Sequence, residues 1–191
     1  MKDVAHYCPK GKKDWRQWLA RNHHKEEGVW LMLYKLKSPE HNLSWSDAVD
    51  EALCFGWIDS TKKTIDADKY KQYFCPRKAK SIWSKINKDK VSSLIEQGLM
   101  EKAGYKSIER AKENGSWHFY DEVEALVVPE DLKREFEQYT GARAYFDSLS
   151  KSHKKALLYW VISAKRAETR QKRISDLIEN ASRNLKPKPF R

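Results

Sequence analysis

The run VWLMLYKL, from Val29 to Leu36, constrains the fold more than any other stretch of this chain. In an extended strand, successive side chains point to opposite faces. Here Val29, Leu31 and Leu33 are apolar on one face, and Trp30, Met32 and Tyr34 are apolar or aromatic on the other. That pattern predicts a buried central strand. A central strand needs neighbours, and a second region supplies them. Trp57 to Ile65 has the β-branched content of a strand, Asp66-Ala67-Asp68-Lys69 reads as a turn, and Tyr70 to Cys75 alternates again before Pro76 stops it. Together these runs predict a β-hairpin.

Helical spacing dominates the rest. Trp15, Trp18, Leu19 and Asn22 predict a helix from Lys12 to about Lys25, with Gly28 ending it. Ser44 and Asp47 form a helix-start signal ahead of the stripe Trp45, Ala48, Val49, Ala52 and Leu53. Gly56 suits the position just past that helix, where a positive φ is cheap only for glycine. Ser84 caps a helix closed by Gly98, and a shorter one near Lys106 to Asn114 is closed by Gly115. SWHFYDEVEALV, Ser116 to Val127, alternates only partly and is read as a loop with one short strand. Pro129 opens a helix to about Gln138, and Thr140 or Gly141 opens another to Leu149. Two further stripes follow, Ala156-Leu157-Trp160-Val161 and Ile174-Leu177-Ile178-Ala181-Leu185. The expected class is α+β: a small antiparallel sheet of about three strands packed with helices, and an all-helical C-terminal half. Residues 1–127 form the mixed part with the central hairpin. Residues 128–191 form the helical part, expected to pack on it.

Charge is unevenly distributed. The 191 residues carry +11 overall, yet residues 61–90 hold 10 basic and 3 acidic side chains, and residues 151–191 hold 12 and 3. Residues 91–150 hold 7 and 12. Two basic blocks around an acidic one suggest an anionic ligand, an acidic protein surface or a nucleic acid as partner. The simpler account is that the lysines solvate helix faces and the blocks neutralise one another. No apolar run is long enough for a membrane span, and the N-terminus lacks the apolar core of a secretory signal. Three widely spaced cysteines suggest reduced thiols and a cytoplasmic location. The six histidines show no H-x-x-x-H spacing, no cysteine pair stands at metal distance, and no glycine-rich phosphate loop or G-x-S-x-G elbow occurs. No cofactor, no metal and no catalytic residue is therefore expected.

Three constellations merit structural attention. In the first, Trp57 and Asp59 share one strand face with Thr61, and Lys62 lies on the other; an acid beside an indole could orient a stacked polar ligand. The plainer alternative makes Trp57 core and pairs Asp59 with an internal arginine. The second is Arg77, Ser81, Trp83, Ser84 and Asn87. A helix N-terminus with basic residues before it favours an anion, and Trp83 could stack on a base or ring. The plainer alternative is a Ser84 cap with Trp83 as its hydrophobic staple. The third is Lys165, Arg166, Glu168, Thr169, Arg170, Lys172 and Arg173. A row of like charges at 166, 170 and 173 costs a helix a few tenths of a kcal/mol per pair unless an anion meets it. An internal partner would be Asp121, Glu122, Glu124 or Asp59, and an Arg170–Asp59 ion pair is the expected structural contact.

Four segments occur in order: EALCFGWIDSTKK, YFCPRKAKSIWSKIN, AKENGSW and AKRAETRQKRI. In combination they resemble the YdeI/OmpD-associated family, whose members are often labelled bacteriocin-protection proteins. The resemblance runs from about Trp15 to Leu185. It implies a role in resisting envelope-directed or bacteriocin stress in bacteria and a helical C-terminal half. It implies no reaction. The leading expectation is a non-enzymatic cytoplasmic binding protein in stress resistance, with an anionic ligand, aromatic or not, held where the hairpin meets the C-terminal helices. One alternative is a nucleic-acid-binding module using blocks 61–90 and 151–191 with Trp83 and Tyr73. The other is an enzyme acting on an anionic small molecule, with Asp59 or Glu168 as acid and base.

Overall fold

The computed structural model describes residues 4–190. The chain divides into two compact units, one ending at His118 and the other beginning at Phe119. The first contains β1 (Ala5–Tyr7), α1 (Lys12–Asn22), β2 (Val29–Tyr34), α2 (Trp45–Cys54), β3 (Trp57–Thr64), β4 (Lys69–Pro76), α3 (Lys85–Glu96) and α4 (Lys102–Glu113). The second contains α5 (Asp121–Glu124), α6 (Glu130–Gln138), α7 (Thr140–Ser148), α8 (Lys151–Ile162) and α9 (Ala167–Ser182). The class is α+β with a helical C-terminal half, as expected.

The sheet order is β1-β2-β4-β3. β3–β4 is the expected hairpin, and β4 also pairs antiparallel with β2. The structure adds β1, which pairs parallel with β2 through Ala5↔Val29 to Tyr7↔Leu31. Three residues are too few to show a periodicity, so only pairing reveals this strand. β2 is internal, but its burial alternates. Val29, Leu31 and Leu33 are fully buried, whereas Trp30, Met32 and Tyr34 are half-buried. The helices take one face only: Trp15 and Leu19 of α1 and Ala48, Val49, Ala52 and Leu53 of α2 share a core with Val29, Leu31, Leu33, Tyr70 and Phe74.

Local signals explain most boundaries. The Ser44 hydroxyl accepts the Asp47 N–H at 3.0 Å, and the Ser84 hydroxyl accepts the Asn87 N–H at 3.3 Å, as side-chain caps of α2 and α3. Gly56, Gly98 and Gly115 all take positive φ, 72°, 67° and 79°, where helices end. Two expectations change. α1 stops at Asn22, well before Gly28. Gly28 serves the sheet instead: a Cβ there would sit 2.1 Å from the Tyr73 hydroxyl. The segment Ser116 to Val127 carries a helical turn, Asp121–Glu124, and no strand.

The second unit closes around Leu132 and Phe136 of α6, Phe146 of α7, Leu157, Leu158 and Val161 of α8, and Ile174, Leu177 and Ile178 of α9. Phe136 and Phe146 rings meet at 5.2 Å. Of the two stripes read at helical spacing, Leu157, Val161, Ile174, Leu177, Ile178 and Ala181 are buried, Leu158 joins them, and Leu185 is exposed beyond the end of α9.

Candidate functional site

The junction CFGWIDSTKK is first a packing seam. Gly56 follows the last residues of α2, and a Cβ on it would lie 2.8 Å from the Ala103 carbonyl oxygen of α4. Gly104 leaves similar clearance for the Cys54 carbonyl oxygen, which a Cβ would approach to 2.4 Å. Trp57 is 1% exposed and donates its indole N–H to the His23 carbonyl at 3.1 Å. It is core and presents no open ring to a ligand. β3 carries one extra residue between Asp59 and Lys62, because Asp59 opposes Phe74 while Lys62 opposes Gln72. This bulge changes the expected faces: Asp59 and Lys62 lie on the same side, and Lys63 turns to the other. The Asp59 carboxylate accepts the Trp45 indole N–H at 2.9 Å and the Gln72 amide N–H at 3.1 Å. Lys62 lies 4.2 Å from the Tyr70 ring centroid.

From the end of β4 the chain builds a different environment. The Arg77 N–H donates to the Gly56 carbonyl at 2.9 Å, extending the hairpin by one bond. Its carbonyl is held by Arg110 at 2.9 Å. Asn114 holds the Ala79 carbonyl at 2.8 Å. The connector between β4 and α3 is therefore anchored by α4 and the residues after it. Its one buried charge is Arg77, 4% exposed. The guanidinium carbon lies over the Trp83 ring, 3.8 Å from its centroid, and Nη2 donates to the Ile82 carbonyl at 2.6 Å. Nε and Nη1 are buried and have no hydrogen-bond partner among the described residues. Burial pushes the Arg77 pKa down to about 10, and the Asp59 charge opposes that push only in part. At neutral pH the group is still a cation.

Arg77 lines a cleft of about 770 Å³ with Glu27, Asp59, Tyr73, Lys78 and Asn87. Ile58, Cys75 and Ile82 supply apolar surface, and Ser60 and Ser81 supply hydroxyls. Unpaired buried charge is costly, by several kcal/mol for an ion left without a partner. An oxyanion has the acceptor lone pairs that the free N–H groups need. Of the expected ligand residues, the cleft thus brings together Asp59, Arg77 and Asn87. Trp83 is 1% exposed, between Arg77 and the Trp117 ring at 4.9 Å. It supports the arginine and has no free face for a base. Cys75 is no activated thiol, since burial raises its pKa against the pull of Lys78. Burial likewise pushes Cys54 up to about 11.

The third constellation dissolves into structural contacts. Arg166 and Lys165 precede α9, so the like-charged row shortens to Arg170 and Arg173. Arg170 binds Asp131 through Nε at 2.5 Å and Nη2 at 2.9 Å. The expected Arg170–Asp59 pair is replaced: each group is satisfied within its own unit. Arg173 donates to the Trp160 carbonyl at 2.5 Å. Glu124, expected as the partner, pairs with Lys155. Lys165 and Glu168 are exposed.

Sequence reasoning missed Glu27, Tyr73 and Cys75 as cleft walls, because the β2–β4 pairing that gathers them has no local signature. It also missed Arg16. That side chain donates to Glu51 at 2.8 Å, to the Leu99 carbonyl at 2.8 Å and to Glu101 at 2.9 Å. Glu51 follows Ala48 by three positions on the buried stripe of α2, which was the available signal. Among the described residues, no group of three or more His, Cys, Asp or Glu side chains could hold a metal ion. No helix among them is long and apolar enough to cross a membrane.

Residues 7–107 match the family model described as "Domain of unknown function (DUF8412)". Residues 125–184 match the model described as "Bacteriocin-protection, YdeI or OmpD-Associated". No curated protein and no solved structure matches the chain.

Proposed function

This chain belongs to the family of domain of unknown function DUF8412 and carries a bacteriocin-protection, YdeI or OmpD-associated domain; we propose that it is a non-enzymatic, cytoplasmic binding protein acting in bacterial stress resistance, and that its ligand is a small oxyanion held in the Arg77 cleft. One observation carries the reading: a buried guanidinium with two unpartnered nitrogens lines a cleft large enough for a small molecule. A carboxylate or phosphate supplies the missing acceptors. Tyr73, Ile58 and Ile82 receive the ligand's apolar body. The Asn87 and Ser81 side chains, also in the lining, set its orientation.

The test is a thermal-shift titration of the full chain with inorganic phosphate, citrate, benzoate and a nucleoside monophosphate. Binding to the folded state alone raises the melting temperature with concentration. At least one of the four is expected to do so in the wild-type protein and not in Arg77→Met. Shifts that persist in Arg77→Met, or no shift with any of the four, overturn the reading.

A further inference from the structure

We infer that the open face of the sheet binds single-stranded nucleic acid. Tyr73 borders both this face and the cleft, but Trp30, Met32, Tyr34, Lys63, Lys69 and Lys71 lie outside the cleft lining. The β2 run is apolar on both faces, yet only one face enters the core. The other displays Trp30, Met32 and Tyr34. Pairing sets Tyr73, Lys71 and Lys69 of β4 beside them in register: Trp30↔Tyr73, Met32↔Lys71 and Tyr34↔Lys69. The β3 bulge then turns Lys63 onto the same face, opposite Lys71.

The result is an aromatic and basic surface. The Trp30 and Tyr73 rings lie 5.2 Å apart. Lys63 and Lys71 stand 5.1 and 4.8 Å from the Trp30 ring centroid, and Lys69 stands 6.0 Å from that of Tyr34. Like charges directly opposite on neighbouring strands are destabilising. Lys69 has an acidic neighbour, Asp66 at 3.5 Å. Lys63 and Lys71 make no ion pair among the described residues, so their shared field is left for a polyanion. A sheet face that alternates aromatic rings with lysines matches what single strands require. Unpaired bases stack on rings, and ammonium groups follow the phosphates. A duplex hides its base faces and would use only the lysines. A small anion would leave the rings unused.

The test is fluorescence anisotropy of the full chain with a fluorescein-labelled oligodeoxythymidylate of about twelve nucleotides. The matching duplex and phosphatidylserine vesicles serve as competitors. The single strand is expected to bind, and with about two to three phosphates neutralised its affinity should fall roughly tenfold between about 50 and 200 mM salt. Lys63→Glu with Lys71→Glu should abolish binding, and Trp30→Leu should weaken it by roughly tenfold. Both lysines are surface groups, so the double variant keeps its fold even if Trp30→Leu does not. Arg77→Met should leave oligonucleotide affinity within about twofold, which separates this surface from the cleft. The proposal is overturned by no binding at low salt, by an unaffected lysine double variant, by equal competition from duplex, or by vesicles displacing the strand at equal charge.

Discussion

Arg16 and Arg77 lie in the same unit, and each guanidinium rests on an aromatic ring, Phe55 at 5.4 Å and Trp83 at 3.8 Å. Their surroundings differ in one respect. Burial alone would lower the Arg16 pKa, but hydrogen bonds and charge from Glu51 and Cys54 together outweigh it and the net shift is upward. At Arg77 burial prevails and the pKa falls. Arg16 has two carboxylates and a carbonyl; Arg77 has one carbonyl. A charge completed by its own chain holds the scaffold together. A charge left incomplete beside a cleft marks the candidate site, because two of its buried N–H groups have no acceptor among the described residues.

The comparison can be broken by experiment. Its largest consequence is at Arg16. Arg16→Met leaves Glu51, 3% exposed, without its main partner, and should cost about 3–5 kcal/mol in urea denaturation. Gly56→Ala comes next. It forces a side chain into positive φ and against the Ala103 carbonyl while shifting the carbonyl that anchors Arg77. About 2–4 kcal/mol should be lost by the same measurement, with ligand binding impaired. If the folded protein binds unchanged, the Arg77 anchor is irrelevant to the site.

Asp131→Asn tests an arginine pair of intermediate exposure, since the two side chains are 29% and 37% exposed. The expected loss is about 1 kcal/mol or less. The bond from Arg170 holds the Asp131 carboxyl below its ordinary value. Its stabilisation is therefore complete above about pH 4 and is lost as pH falls through the lowered folded-state value. Stability curves of wild type and variant should converge in acid, and parallel curves would deny the pair any role. Arg77→Met should change stability by no more than about 1 kcal/mol, as removing an unpaired buried charge offsets the lost stacking on Trp83. A loss as large as that of Arg16→Met would make Arg77 scaffold and end the contrast. Smallest of all, Lys165→Ala and Glu168→Ala should stay within about 0.5 kcal/mol of wild type and leave binding intact.

Much of the local structure was legible in the chain. Ser44, Ser84, Gly56, Gly98 and Gly115 each marked a helix end, because capping and positive φ depend on neighbours within a few residues. Arg77 and Asn87 were legible as an anion candidate for the same reason, standing before and within the first turn of a helix. Trp83 stood there between two readings, a ring for a base and a packed staple: a tryptophan beside an arginine looks alike whether its ring faces solvent or carries the guanidinium. Gly28 looked like a helix end, but its clearance is for Tyr73, forty-five positions away. Arg170 was expected to pair with Asp59, but its partner Asp131 lies 39 positions back.

By itself the sequence determined most of the helices, the hairpin and the α+β class, since periodicities of 3.6 and 2 are written in adjacent residues. It also determined how much charge the chain carries. Only the tertiary structure decided which charges are neutralised. Pairing depends on groups brought together from distant segments, and a single extra residue in β3 was enough to turn Lys63 onto the face of Trp30 and Lys71. That long-range geometry left Arg77 without an anion and gave one to Arg16.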